Sequence, residues 1–165
     1  MSTPSVTLNK TFKFLFNTNE FKCAGLTEKE VIEMYKDGRV FSQWVERWLT
    51  KKFPLTRVTG CKKYDHIDLN NENIKYEAKT FTPASGLSYA PSGHTGVGRT
   101  IDETIAKERA SNLIYIIVSN IDFPNIKVRF MNGNDLMQKE IELMKRKDEK
   151  IKCKISLTHH DTFFA

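Results

Sequence analysis

The stretch of sequence that decides the fold is KYDHIDLNNENIKYEAK, residues 63–79. Its first half carries two acids in an Asp-x-x-Asp segment, Asp65 and Asp68. The run of asparagines and Glu that follows them is typical of a turn. Residues 74–81 then alternate apolar and polar side chains, which is the period of a half-buried strand. The stretch therefore predicts a β-hairpin with acids on its first strand.

The second strand of this hairpin carries Glu77 and Lys79. Because residues two apart on a strand point to the same face, these two side chains project together, away from the apolar side chains of Ile74, Tyr76 and Ala78. An acid on the first strand would lie close to them. Paired carboxylates favour a hard divalent cation, and a nearby ammonium can orient a water for attack on a phosphate. The alternative is a solvated surface ion pair.

The surrounding elements place this hairpin in a mixed α/β chain. A capping box at Thr27 and Glu30 opens a first helix, and apolar residues at helical spacing predict a second. A continuous apolar run, residues 113–118, is typical of a central strand covered on both faces. The predicted order is α-α-β-β-β-α-β-β-α-β, with helices at 27–37, 40–52, 101–111 and 135–147 and strands at 57–59, 64–69, 74–81, 113–118, 126–130 and 150–157. We expect one domain, residues 1–165, with a mixed sheet flanked by helices.

The bulk composition restricts the class of protein and of partner. The net charge of +6 and pI near 9.2 favour a polyanionic partner. No apolar run is long enough to cross a bilayer, and the N-terminus does not resemble a secretory signal. We therefore expect a cytoplasmic protein. The three cysteines show neither zinc-ligand spacing nor a disulfide framework, which predicts reduced thiols.

The order of these motifs resembles the PD-(D/E)xK restriction-endonuclease-like superfamily. It is most similar there to the small homodimeric type II restriction enzymes of the Pvu kind. The likeness rests on residues 65–68, residues 76–79 and the helix 104–109 before an apolar strand, with Tyr64 where the superfamily often has Pro. It implies a restriction-endonuclease-like mixed central β-sheet flanked by α-helices. It also implies Mg²⁺ as cofactor, with the Ala78 carbonyl a further metal ligand, and a homodimer that cuts double-stranded DNA at a short site.

The sequence leaves open which aspartate joins Glu77 and Lys79. Strict alternation along the first strand places Asp68 on the polar face and so favours it. The resemblance favours Asp65, since the first acid of the motif is the ligand there, and a bulge can break the alternation. Helix residues Glu46 and Gln43 resemble the helix acid that some superfamily members add; the alternative is an ordinary polar helix face.

The long segment from Thr82 to Thr100 is rich in Gly, Ser and Pro and is predicted to be a loop. In the resembling enzymes the segment after Glu-x-Lys reads bases, so we expect it to contact DNA; a flexible surface loop is the alternative. Lys107 on the following helix is predicted to contact backbone phosphates. The predicted loop contacts are Ser85, Tyr89, Ser92, His94, Thr95 and Arg99.

Three functional hypotheses remain at this level. The first is a type II restriction enzyme, which implies a cognate methyltransferase. The second is another nuclease of the superfamily, for homing, repair, recombination or toxicity, and a toxin implies an immunity protein. The third is a nucleic-acid-binding module that keeps the fold without catalysis.

Overall fold

A computed structural model describes residues 2–21, 24–60, 62–91 and 100–165 of the chain. These residues form one mixed eight-stranded sheet and five α-helices, so the prediction of a mixed sheet flanked by helices is confirmed. None of the helices in the described ranges is long and apolar enough to span a membrane. The elements are β1 (Thr11–Leu15), α1 (Glu28–Lys36), α2 (Gly38–Lys52), β2 (Leu55–Arg57), β3 (His66–Asp68), β4 (Lys75–Thr82), β5 (Gly86–Ser88), α3 (Glu103–Ser111), β6 (Ile114–Ser119), β7 (Asn125–Asn132), α4 (Gly133–Met144), β8 (Lys154–Ile155) and α5 (His160–Phe164).

Strand β4 lies in the middle of the sheet, in the order β1-β7-β6-β4-β3-β2. It runs parallel to β6, from Tyr76 beside Ile114 to Phe81 beside Ser119. Its other edge pairs with β3 near one end and with β5 near the other, both antiparallel. Within the described chain, the centre of that edge has no strand beside it. This gap between β3 and β5 positions the candidate site.

The two first helices form where their caps and apolar spacing predict. The Thr27 side chain accepts from the Glu30 backbone, and Glu30 in turn accepts from the Thr27 backbone, which completes the capping box. The Asp37 side chain accepts from the Arg39 N–H and opens α2. Helix α2 buries the predicted apolar face, Phe41, Val45, Trp48 and Leu49. It ends before Pro54, whose ring cannot continue a helix.

The sheet separates two apolar cores, one on each face. Helix α2 covers one face, where Phe41 and Leu49 pack with Tyr76 and Ile116. On the opposite face, helices α3, α4 and α5 cover a second core that contains Tyr115, Ile117 and Phe81. A strand buried on both sides loses the simple alternation, which explains the continuous apolar run in β6. Strand β4 is therefore buried from both sides, through Tyr76 on one face and Phe81 on the other.

Three parts of the predicted order are wrong. The segment predicted as one long loop contains strand β5, which pairs with β4 through Phe81 opposite Leu87. The predicted last strand, 150–157, is reduced to β8, and the chain ends in helix α5. Strand β1 was not predicted; it forms the sheet edge beside β7, where Phe12 and Phe14 pack on the core and Lys13 is exposed.

Candidate active site

The pairing of β3 with β4 determines which acid reaches Glu77. His66 lies opposite Tyr76 and Ile67 opposite Lys75, and Asp65 directly precedes this paired segment. The Asp65 N–H donates at 2.9 Å to the carbonyl of Tyr76, which is already the partner of His66, while the Asp65 carbonyl accepts from the Val58 N–H. Asp65 and His66 therefore both lie opposite Tyr76, as in a β-bulge. A bulge breaks the alternation of side chains along the strand, which turns the Asp65 side chain towards the edge of β4. The structure therefore brings Asp65 to the Glu-x-Lys pair.

The Asp65 side chain lies in the gap beside β4. Its Oδ2 accepts a hydrogen bond from the Ala78 N–H at 2.9 Å. In an extended strand the N–H and C=O of one residue point to the same side. The Ala78 carbonyl therefore points into the same gap as the Asp65 carboxylate, as a metal ligand would require.

Glu77 and Lys79 form the predicted pair on one face of β4. Glu77 Oε1 and Lys79 Nζ are 3.0 Å apart, and their side chains are 10% and 21% exposed. Burial raises the pKa of Glu77 above its ordinary value of 4.5; Lys79 lowers it, and Asp65 raises it again. A buried carboxylate with a second carboxylate nearby is one that a cation would stabilise. The ammonium supplies part of that charge and has donors left for a water.

Asp68 has a structural role in the turn of the hairpin. Its Oδ1 accepts from the backbone N–H groups of Asn70 and Asn71 at 2.9 and 3.1 Å. Its Oδ2 accepts from the Tyr76 hydroxyl at 3.3 Å. Tyr76 belongs to the core on the α2 face of the sheet, whereas Glu77 points to the other face. The structure therefore does not bring Asp68 to Glu77 and Lys79. Simple alternation along the strand had favoured that contact, and on this point it is wrong.

Helix α2 contributes one of its two predicted polar residues. Desolvation raises the pKa of Glu46, and Asp65 raises it further, so the two carboxylates interact. Glu46 Oε2 is 3.6 Å from Arg57 Nε, which partly balances its charge. The buried His66 ring ties this helix to the hairpin, with Nε2 2.8 Å from the Glu46 carbonyl. Gln43 instead faces Arg47 of its own helix, whose Nη1 donates to the Gln43 carbonyl.

Arg109 is a second cation near the site, and it lies on helix α3, on the face of the sheet opposite α2. Its charge lowers the pKa of Glu77, and its Nη2 donates to the Lys63 carbonyl at 3.0 Å. Its place in a helix that precedes the central strand could not reveal which carboxylate it faces.

The residues predicted to contact DNA have four different outcomes. Tyr89 is 1% exposed and its hydroxyl donates to the buried Glu140, so the prediction that it contacts DNA is wrong. Lys107 lies about 200° around α3 from Arg109 and pairs with Glu103 at 3.2 Å, so the structure does not bring it to the site. Ser85 is exposed in the turn before β5. The other predicted contacts, Ser92, His94, Thr95 and Arg99, lie outside the described residues.

The donor set fits a hard divalent cation. Asp65 and Glu77 offer carboxylate oxygens and Ala78 a carbonyl oxygen, which are the ligands that Mg²⁺ prefers. Over residues 2–21, 24–60, 62–91 and 100–165, no three His, Cys, Asp or Glu side chains are grouped to hold a metal. The proposed ligand set at β4 is not such a group, because it consists of two side chains and one main-chain carbonyl. Mg²⁺ bound this way keeps several waters.

Comparison with known proteins gives no family assignment. No family model matches the sequence, and neither a curated protein nor a solved structure is significantly similar to the chain. The functional argument therefore depends on the site itself.

Proposed function

We propose that this protein is a Mg²⁺-dependent endonuclease that hydrolyses phosphodiester bonds of double-stranded DNA. The observation that carries the proposal is the placement of Asp65, Glu77 and Lys79 around the gap in the sheet beside β4. Glu77 and Lys79 are 3.0 Å apart, and Asp65 is bonded to the intervening Ala78. The basic character of the chain supports a polyanionic substrate.

Each residue has a distinct role in this proposal. Asp65, Glu77 and the Ala78 carbonyl would hold Mg²⁺, which supplies Lewis-acid stabilisation of the scissile phosphate and a lowered pKa for water when bound. Lys79 holds the attacking water with the donors that Glu77 leaves free and offsets negative charge on the phosphate in the transition state. The burial of Glu77 strengthens these electrostatic interactions, because water is excluded from one side of the site.

A double-stranded substrate also bears on the oligomeric state and on the specificity of the proposed enzyme. A chain with one such site cuts both strands of a duplex most simply as a homodimer with twofold symmetry. A type II restriction enzyme of this kind would act at a short palindromic site and would be accompanied by a methyltransferase.

The decisive experiment incubates the purified chain with plasmid and phage DNA, with Mg²⁺ or with EDTA. We expect discrete fragments with Mg²⁺ and none with EDTA. Glu77→Ala and Lys79→Ala should each lower the rate at least about 100-fold, because each removes a group that acts on the transition state. The exposed Glu72→Ala, in the hairpin turn, and Lys13→Ala, on the edge strand, are the matched controls and should cut normally.

The pattern of products separates the alternatives. Fragments that map to one short sequence support a restriction or homing enzyme, whereas a smear indicates a nonspecific nuclease. DNA binding without cleavage by the intact protein would contradict the proposal in favour of a binding module. Cleavage that survives in Glu77→Ala would contradict the assignment of the site.

A further inference from the structure

A cleft of about 640 Å³ adjoins the candidate active site. Its lining includes Lys63 and Tyr64 from the segment before β3, Lys75 from β4, and Glu108 and Arg109 from α3. The volume is in the range of sites that hold small ligands or parts of larger ones. Tyr64 directly precedes Asp65 in the chain, and Lys75 lies two residues before Glu77 on β4, so the cleft adjoins the site.

The cleft carries an excess of positive charge. Lys63, Lys75 and Arg109 contribute three cations against the single carboxylate of Glu108. Lys63 and Lys75 are exposed, and within the described part of the chain neither forms an ion pair. Arg109 uses one donor on the Lys63 carbonyl and has others available. Such unpaired cations favour an anion as the occupant.

The cleft and the active site lie along one face of strand β4. Lys75, Glu77 and Lys79 are spaced two residues apart, so their side chains share this face. The Lys75 ammonium lies 5.0 Å from the centre of the Tyr64 ring, which holds it on the cleft side. Lys75 and Glu77 are about 6.6 Å apart along the strand at about 3.3 Å per residue. A DNA strand rises about 3.4 Å per nucleotide, so this distance covers one to two nucleotides.

We propose that this cleft is a second phosphate site, in which Lys63, Lys75 and Arg109 hold a phosphate one or two nucleotides from the scissile one on the same DNA strand. The inference rests on the proposed function and specifies how the substrate strand lies across the active site. Arg109 links the cleft to the active site, because it lines the cleft and belongs to α3, which packs on the face of the sheet that carries Glu77. Contacts of this kind fix the register of the strand without reading its sequence.

The test measures DNA binding separately from cleavage. The affinity for a short fluorescent duplex is determined in EDTA by anisotropy over a series of salt concentrations. Each phosphate contact adds about 0.9 to the slope of log affinity against log salt. Because the two lysines hold the same phosphate, we expect Lys63→Ala/Lys75→Ala to lower that slope by about 1, and Lys75→Arg to keep it, because arginine retains the charge. Lys13→Ala, at the opposite edge of the sheet, is the matched control and should leave the slope unchanged.

The outcomes distinguish this inference from the nuclease proposal. In Mg²⁺, the double variant should raise KM for DNA with little change in kcat, since its lysines position the strand and do not touch the reacting phosphate. An unchanged salt slope with normal cleavage would overturn the second phosphate site alone. An equal drop in slope for Lys13→Ala would also overturn it, because the effect would then be one of net charge. A lower slope in a protein that never cleaves would support the cleft and contradict the nuclease.

Discussion

The two aspartates of the hairpin should respond in opposite ways to loss of their charge. Asp65→Asn keeps an oxygen that can accept from the Ala78 N–H but removes a carboxylate that raises the pKa of Glu77. Asp68→Asn leaves that electrostatic balance alone and weakens the hydrogen bonds that hold the turn. We expect Asp65→Asn to abolish cleavage and to stabilise the metal-free protein. Asp68→Asn should cleave and be less stable.

The magnitude for Asp65 follows from Coulomb's law. Charges that shift each other's pKa lie within about 6 Å, and Asp65 shifts that of Glu77; at about 5.5 Å an effective dielectric constant near 20 gives about 3 kcal/mol of repulsion. Lys79 offsets part of this repulsion, and solvent screens more of it because Asp65 is only half-buried. We therefore expect Asp65→Asn to raise the free energy of unfolding of the metal-free protein by about 1 kcal/mol. For a chain of this length that raises Tm by about 2–4 °C.

The magnitude for Asp68 comes from its hydrogen bonds. Asparagine keeps one neutral oxygen for the Asn70 and Asn71 N–H groups but places an amide NH2, which cannot accept, beside the Tyr76 hydroxyl. The exchange should cost about 1 kcal/mol. The measurement is thermal unfolding of the two variants and the parent protein in EDTA and in Mg²⁺. Mg²⁺ at ten times its Kd should stabilise the parent by about 1.4 kcal/mol and leave Asp65→Asn unchanged. A lowered Tm for Asp65→Asn in EDTA, or lost cleavage in Asp68→Asn, would refute this reasoning.

Three further outcomes are expected. The raised pKa of Glu77 means that the folded chain binds its proton more tightly than the unfolded chain does, so ionisation costs stability as pH rises above 4.5. The stability advantage of Glu77→Gln in EDTA should thus be small below pH 4.5 and grow above it, measured by urea unfolding across pH; a constant difference would contradict this. Gly133→Ala would place a Cβ 1.7 Å from the Ala110 carbonyl oxygen, and the helices α3 and α4 must separate. We expect a loss of at least about 3 kcal/mol in the free energy of unfolding, seen as a lower urea midpoint. Tyr89→Phe deprives the buried Glu140 carboxylate of a donor and should cost about 2 kcal/mol by the same assay, and a neutral result would show that the bond is dispensable.

The elements that the sequence predicts well are those with strong local signals. The capping box at Thr27, the apolar face of α2 and the apolar run of β6 each depend on residues close in the chain. The pairing of Glu77 with Lys79 is equally local, because it needs only the two-residue period of a strand.

The parts that the sequence did not predict depend on contacts between distant segments. The choice between Asp65 and Asp68 depends on the bulge at the start of β3, where Asp65 and His66 both lie opposite Tyr76. Strand β5 is short and owes its pairing to Leu87, which lies opposite Ile155 from the far end of the chain. Arg109 reaches the site only because α3 packs over the sheet face that holds Glu77. Such positions follow from the assembled fold and not from local propensity.

The hydrogen bond from the Ala78 N–H to Asp65 has an evolutionary consequence. Where a neighbouring strand would satisfy the main chain of β4, a single carboxylate does so, and the same carboxylate is proposed to bind the metal ion. A descendant that lost hydrolysis but kept its shape would be under selection to retain an acceptor at position 65. Asparagine satisfies that demand and alanine does not, so among inactive descendants we expect asparagine to predominate at this position.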